Sequence, residues 1–124
     1  MAIQLKRIYQ APEEEDGYRI LIDGVWPRGI AKDKAKVDEW SRDVAPSKEL
    51  RQWFSHDPEK FGKFKEKYKQ ELQQNNEQAE ALGQLKKTVR EHHEQVTLVF
   101  AAKEETYNHA RVLKEILDRQ PKDS

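Results

Sequence analysis

The chain has 124 residues and no net formal charge, with 23 Lys plus Arg against 23 Asp plus Glu. The balance recurs in each half, 11 basic to 12 acidic side chains and then 12 to 11, so neither half is a basic arm or an acidic tail that would gather nucleic acid or an anionic membrane. The absence of Cys excludes disulfides, thiolate nucleophiles and Cys-based zinc sites.

This length suits one domain, expected over residues 1–120 with a polar tail at 121–124. The opening MAIQLKRIYQ has no signal-like apolar run, and no segment approaches the roughly 20 apolar residues that span a bilayer. The expectation is a cytoplasmic protein without membrane contact.

Residues 3–9 open with alternating apolar and polar side chains and read as a first strand. The acid-, Pro- and Gly-containing stretch 11–17 reads as a loop. Residues 18–23 (YRILID) give a second strand, and the chain then passes Trp26 to Pro27-Arg28-Gly29, where regular structure stops. Val37, Trp40 and Val44 have helical spacing, which predicts a helix over 37–44 ended by Pro46. Ser47 reads as the N-cap of a short helix carrying Leu50, Trp53 and Phe54 on one face. Asp57-Pro58 predicts a helix start and a helix to about residue 74, with Phe61, Phe64, Tyr68 and Leu72 inward. Asn75-Asn76 breaks it before a helix over about 77–92. VTLVFAA at 96–102 reads as a strand buried on both faces, as in parallel sheets. A last helix is predicted over about 107–119.

These elements predict a single-domain α/β sandwich with a small, mostly parallel sheet flanked by helices. In such sheets ligands sit beyond the C-terminal ends of the strands. The second and late strands, if parallel, bring the loops after Asp23 and Ala102 to one edge. A helix start near Asn108 and His109 adds free N–H groups there. Arg28 and Lys103 add charge, and an Arg can grip phosphate or carboxylate with both ends of its fork.

Arg7-Ile8-Tyr9, Asp16-Gly17, the block Asp23-Gly24-Val25-Trp26-Pro27-Arg28-Gly29, Ala45-Pro46-Ser47, Leu50-Arg51, Trp53-Phe54 and His56-Asp57 come in order. They are followed by Glu71-Leu72, Val96-Thr97-Leu98, Ala101-Ala102-Lys103 and Asn108-His109-Ala110. In this pattern the chain resembles domain-of-unknown-function family 488, its small bacterial YeaO-like branch, over residues 7 to about 117. The resemblance implies an α/β sandwich and a soluble bacterial protein, and brings no established activity. Gly24-Val25 departs from the Arg-Leu usual in that family. If that Arg lines the family's pocket, this chain has one cation fewer there.

Each candidate has a functional and a structural reading. Trp-Pro-Arg-Gly is either a rigid turn, with Gly29 at positive φ, or the carrier of a ligand-binding Arg28. Ser47 has no Gly-x-Ser-x-Gly setting and reads as a helix corner before it reads as a nucleophile. Arg51 is either an ion-pair partner on a helix face or projects toward the same cleft as Arg28. His92 and His93 point about 100° apart on a helix, and no His-x-x-x-His is present, so no metal site is expected. His56 reads as part of the loop before the long helix. His109 at a helix start tends to stay neutral, which suits acid–base or hydrogen-bonding work. The aromatic residues are expected in the core, and the lysines of 60–69 on a solvated, ion-paired face.

The leading reading is a site for a small anion, a phosphate, nucleotide or carboxylate. Arg28, Ser47, Arg51, Lys103 and Asn108 are its binding candidates, and Asp23 and His109 its acid–base candidates if the protein is an enzyme. A non-catalytic interaction module or homodimer is the alternative, and a nucleic-acid module through the 60–69 lysines is ranked below both. No cofactor is indicated.

Overall fold

The structure, a computed structural model, describes residues 3–92 and 95–119. The expectations for His93 and for the tail at 121–124 fall outside those residues. In chain order the elements are β1 (Ile3–Arg7), β2 (Tyr18–Leu21), α1 (Lys32–Ala35), β3 (Glu39–Trp40) and α2 (Lys48–Phe54). Then come α3 (Phe61–Gln74), α4 (Asn76–Glu91), β4 (Val96–Phe100) and α5 (His109–Asp118). The four strands form one sheet in the order β1-β4-β2-β3, and every neighbouring pair is parallel. The expected small parallel sheet is therefore what the chain builds. β4 lies inside it and is buried along its whole length, as its unbroken apolar sequence predicts.

Alternation along the strands divides the sheet into two unlike faces. Ile3, Ile20, Ile22, Val96, Leu98 and Phe100 point to the first face and join the main core. Helices α2 to α5 cover it, with Leu50, Phe64, Tyr68, Leu85 and Leu113 among the side chains they bring. The second face carries Leu21 and Val99, which pack with Ile8 and Ala35 against Trp26, Ile30, Val37 and Trp40. It also carries Lys6, Arg19 and Thr97, all buried. Burial of two cations requires compensation. The Lys6 ammonium donates to Glu13 and to Asp16, at 2.7 and 3.1 Å. Arg19 donates to Asp16 at 2.6 Å and to the backbone carbonyls of Ala35 and Lys36. Thr97 donates its hydroxyl hydrogen to the Asp16 carbonyl. This network ties the β1–β2 connection and α1 across the strands.

The predicted helix over 37–44 does not form. Glu39–Trp40 instead adds a short edge strand beside Ile20 and Leu21, and a 3-10 turn follows at Arg42–Val44. The apparent helical face was misleading, because Val37 and Trp40 go to the second face while Val44 goes to the main core. Pairing satisfies the otherwise open edge of β2: Asp38 accepts the Arg19 N–H on its carboxylate, and Ser41 donates its N–H to Leu21. Trp53 also departs from expectation. It is 37% exposed, beneath the ammonium groups of Lys60 and Lys67.

Side-chain caps precede α2, α4, α5 and a 3-10 turn at Pro58–Lys60 that leads into α3. Ser47 accepts the Leu50 N–H, Asp57 the Glu59 N–H, Asn75 the Gln78 N–H and Asn108 the Arg111 N–H. Among the described residues, no helix is long and apolar enough to cross a membrane.

Candidate functional site

β2 and β4 are adjacent and parallel, so the segments that leave them meet at one edge of the sheet. A cavity of about 300 Å³ opens there. Its walls are Phe54 and Phe64 from α2 and α3, Ala45 and Pro46 from the corner before α2, and Ala101 and Ala102 after β4. Gly24 and Val25 close another side. Its polar groups are Asp23, Arg51, His56, Asn108 and His109.

Asp23 follows β2 and is held from two sides. Its Oδ2 accepts the Ala101 N–H at 3.0 Å, which fastens the end of β2 to the end of β4. Its Oδ1 is buried with no hydrogen bond of good geometry, and the nearest donor is His109 Nε2 at 3.3 Å. That same Nε2 lies 3.1 Å from the Ile22 carbonyl oxygen. A carbonyl only accepts, so Nε2 is the donor in this contact. The Tyr68 ring stands edge-on to the imidazole, and its hydroxyl donates to the Val44 carbonyl. Burial, reinforced by the negative charges of Glu71 and Asp23, pushes the Tyr68 phenol well above its ordinary range, so it stays protonated.

Ala101 and Ala102 are positioned by Arg7, whose guanidinium donates to both carbonyl oxygens. The cation of Arg7 is thus committed to the wall. Arg51 projects from α2 at the mouth and has no ion-pair partner among the described residues. His56 also lines the cavity, with its ring tilted against Phe54.

His56 is placed by an unusual backbone. Ser55 and His56 have φ of 47° and 57°, two successive non-glycine residues in the left-handed region. That region is unfavourable to a residue with a Cβ, and such residues gather at functional sites. From sequence, His56 is expected in the loop before the long helix. The one available signal was Ser55-His56-Asp57-Pro58, a turn squeezed between two helices with no Gly to relax it.

Of the sequence candidates, the fold brings Asp23, Arg51, Asn108 and His109 to the cavity and leaves Arg28, Ser47 and Lys103 off its walls. Asp23 and His109, the expected acid–base groups, meet within 3.3 Å. The Asn108 side chain is spent on the fold, accepting from Arg111 and donating to Glu104. Ser47 caps α2 and donates to Glu71. Lys103 is exposed. Arg28 is exposed in a turn where Gly29 adopts φ 79° and the indole of Trp26 donates to Ile30. Two of the 60–69 lysines sit over Trp53, and Lys65 pairs with Glu115 at 2.8 Å. Among the described residues no group of three or more His, Cys, Asp or Glu could hold a metal ion.

The chain is similar to known proteins over most of its length. A family model described as the inactive DUF488-N3 subclade matches residues 2–124. The chain belongs to this family. It is 42% identical over 113 residues to the uncharacterized protein YeaO of Escherichia coli K12, covering 91% of this chain and 94% of that one. It is 40% identical over 116 residues to the uncharacterized protein Rv3073c of Mycobacterium tuberculosis H37Rv, covering 94% and 93%. No solved structure matches the chain. Within this DUF488 chain, the departure noted at Gly24-Val25 lies on the cavity wall.

Proposed function

We propose that the cavity at the C-terminal edge of the sheet binds a small anionic ligand, and that the protein holds this ligand without transforming it. The observation that carries the reading is the Arg51 guanidinium, unpaired among the described residues, at the mouth of a small cavity. An unpaired guanidinium is a strong donor for an anion, because its fork makes two parallel charge-assisted hydrogen bonds. His56 lines the same cavity. Asp23 does not oppose an anion at the mouth, because its oxygens turn to the Ala101 N–H and toward His109. The binding reading is preferred to a catalytic one because the matching family is described as inactive. In that reading the Asp23–His109 pair holds the end of β2 against the start of α5 and keeps the cavity open.

A thermal-shift panel at fixed ionic strength tests this, with phosphate, sulfate, nucleotides and common carboxylates on wild type, Arg51→Ala and Arg28→Ala. A ligand at about 100 times its dissociation constant stabilises the fold by roughly 2.7 kcal/mol. The expected result is a shift that Arg51→Ala abolishes and Arg28→Ala leaves in place. NMR of the bound compound after incubation is expected to return it unchanged. A shift lost only in Arg28→Ala would move the site to the Trp-Pro-Arg-Gly turn. Conversion of the compound would restore the acid–base role of Asp23 and His109.

A further inference from the structure

We propose that the ligand is a monocarboxylate with a short apolar or aromatic body, and not a phosphate or a nucleotide. The inference rests on the reading that this cavity binds an anion, and it names the kind of anion.

Charge decides first. Asp23 is turned to the Ala101 N–H and toward His109, which leaves Arg51 as the one Lys or Arg among the side chains lining the cavity. A phosphate dianion calls for more positive charge than a single guanidinium carries. Other sources of positive potential near this edge are committed elsewhere or lie off the wall. Arg7 is spent on the Ala101 and Ala102 carbonyls. The Arg111 N–H in the first turn of α5 is taken by Asn108. Lys103 and Arg28 are not on the wall. Phosphate-binding loops use successive backbone N–H groups freed by glycines. Here Gly24 is the single glycine on the wall, and the nearby Ala101 N–H already serves Asp23. One carboxylate, by contrast, matches the planar fork of Arg51 in both charge and shape.

The rest of the wall decides what the carboxylate is attached to. Phe54 and Phe64 are stacked with ring centroids 4.2 Å apart, and they face Pro46, Ala101 and Ala102 across the space. These surfaces offer no hydrogen bonds to a ribose or to a base edge. They do offer contact to an alkyl chain or a phenyl ring, for which burial is favourable in proportion to area. A volume of about 300 Å³ stands at the bottom of the range for small-molecule sites, roughly 300–1,000 Å³, which favours a compact body.

Calorimetry on the full chain tests the inference, using phenylacetate, butyrate, inorganic phosphate and adenosine monophosphate at constant ionic strength. Each is titrated into wild type, Arg51→Ala and Arg51→Lys. Arg51 is exposed, so its truncation spares the core, and a melting curve verifies that each variant is folded. At least one carboxylate is expected to bind more tightly than both phosphate and the nucleotide. Arg51→Ala is expected to weaken it by about tenfold or more, with Arg51→Lys between, the size of one or two lost charge-assisted hydrogen bonds. Tighter binding of phosphate or the nucleotide, still dependent on Arg51, overturns the monocarboxylate and leaves the anion site standing. No binding by any of the four, or binding indifferent to Arg51, overturns both.

Discussion

The two faces of the sheet solve the same problem with different chemistry. On the first, helices α2 to α5 lay an almost wholly apolar surface against Ile20, Leu98 and Phe100, and the stabilisation comes from area removed from water. On the second, where α1 is only one turn long, a loop and that turn cover the strands, and much of the cover is a buried set of ions. Asp16 is 1% exposed between Lys6 and Arg19, which are 8% and 3% exposed. A helix can cover a sheet with apolar side chains because its own backbone is satisfied internally. A loop cannot, because its carbonyls and N–H groups need partners; here the Arg19 cation donates to carbonyls and the Asp16 carboxylate accepts the Glu13 N–H. Arg19 illustrates this by bonding at once to Asp16, Ala35 and Lys36. The lesson is that the polar network is the cover of the second face, and its cost of desolvation is offset only while every member is present.

The strongest way to break that comparison is to remove one member from each face. Asp16→Asn leaves Arg19 buried without its carboxylate and is expected to cost about 3–5 kcal/mol in chemical denaturation near neutral pH. Leu98→Ala on the helix-covered face is expected to cost about 2–5 kcal/mol by lost transfer energy and a cavity. The two losses differ in their pH dependence, and that difference is the test. The Leu98→Ala loss persists unchanged from pH 8 to below pH 4, whereas the Asp16→Asn loss holds down to about pH 4 and shrinks only below it. Equal pH profiles would show that the ion set is not what covers the second face.

The sign of that dependence follows from the partners of Asp16. Burial pushes its carboxyl up, but the Glu13 N–H and the Lys6 and Arg19 cations outweigh burial and hold it below the ordinary 3.8. A lowered folded value means that its contribution is present above about pH 4 and is lost as pH falls through the folded value. Lys6 behaves in the opposite sense. Its bond to Glu13 raises it above 10.5, burial opposes this, and Asp16 adds to the rise. Its contribution is complete below pH 10.5 and is lost as pH climbs through the raised value. Thermal unfolding of wild type against pH is therefore expected to show a plateau bounded by an acid limb below about pH 4 and an alkaline limb above about pH 10.5, with the acid limb flattened in Asp16→Asn.

The smallest expected effect sharpens the comparison at the cavity, which belongs to the apolar face. His56→Gly relieves a left-handed residue and is expected to raise stability by about 0.4–1 kcal/mol. The same change removes an imidazole from the cavity wall and should weaken anion binding. Opposite signs in melting temperature and affinity would mark His56 as a residue kept in strain for binding. A loss of both would make it an ordinary packing residue.

Much of this molecule was legible from residues alone, because the forces that set it act over short stretches of chain. Alternation in β1 follows from the two-residue repeat of a strand, β2 from its strand-forming residues, and the buried run 96–100 from its nearly continuous apolar sequence. The helix starts at Ser47, Asp57, Asn75 and Asn108 follow from side-chain caps that reach only two or three residues onward. The meeting of Asp23 and His109 at the strand ends, beside a cavity, followed once the strands were parallel.

Tertiary structure alone decided the rest. Residues 39–40 became a strand because the edge of β2 lay open beside them, a fact that no local window contains. Lys6 and Arg19 went inside because Asp16 and the α1 carbonyls arrive from elsewhere in the chain to meet them. The cation facing the cavity is Arg51, and not Arg28 or Lys103, because the packing of α2 beside α3 aims it there while the Trp26 turn leaves Arg28 in solvent. Residue type sets what a side chain can do, but its direction is set by what packs behind it, and that is a property of the whole fold.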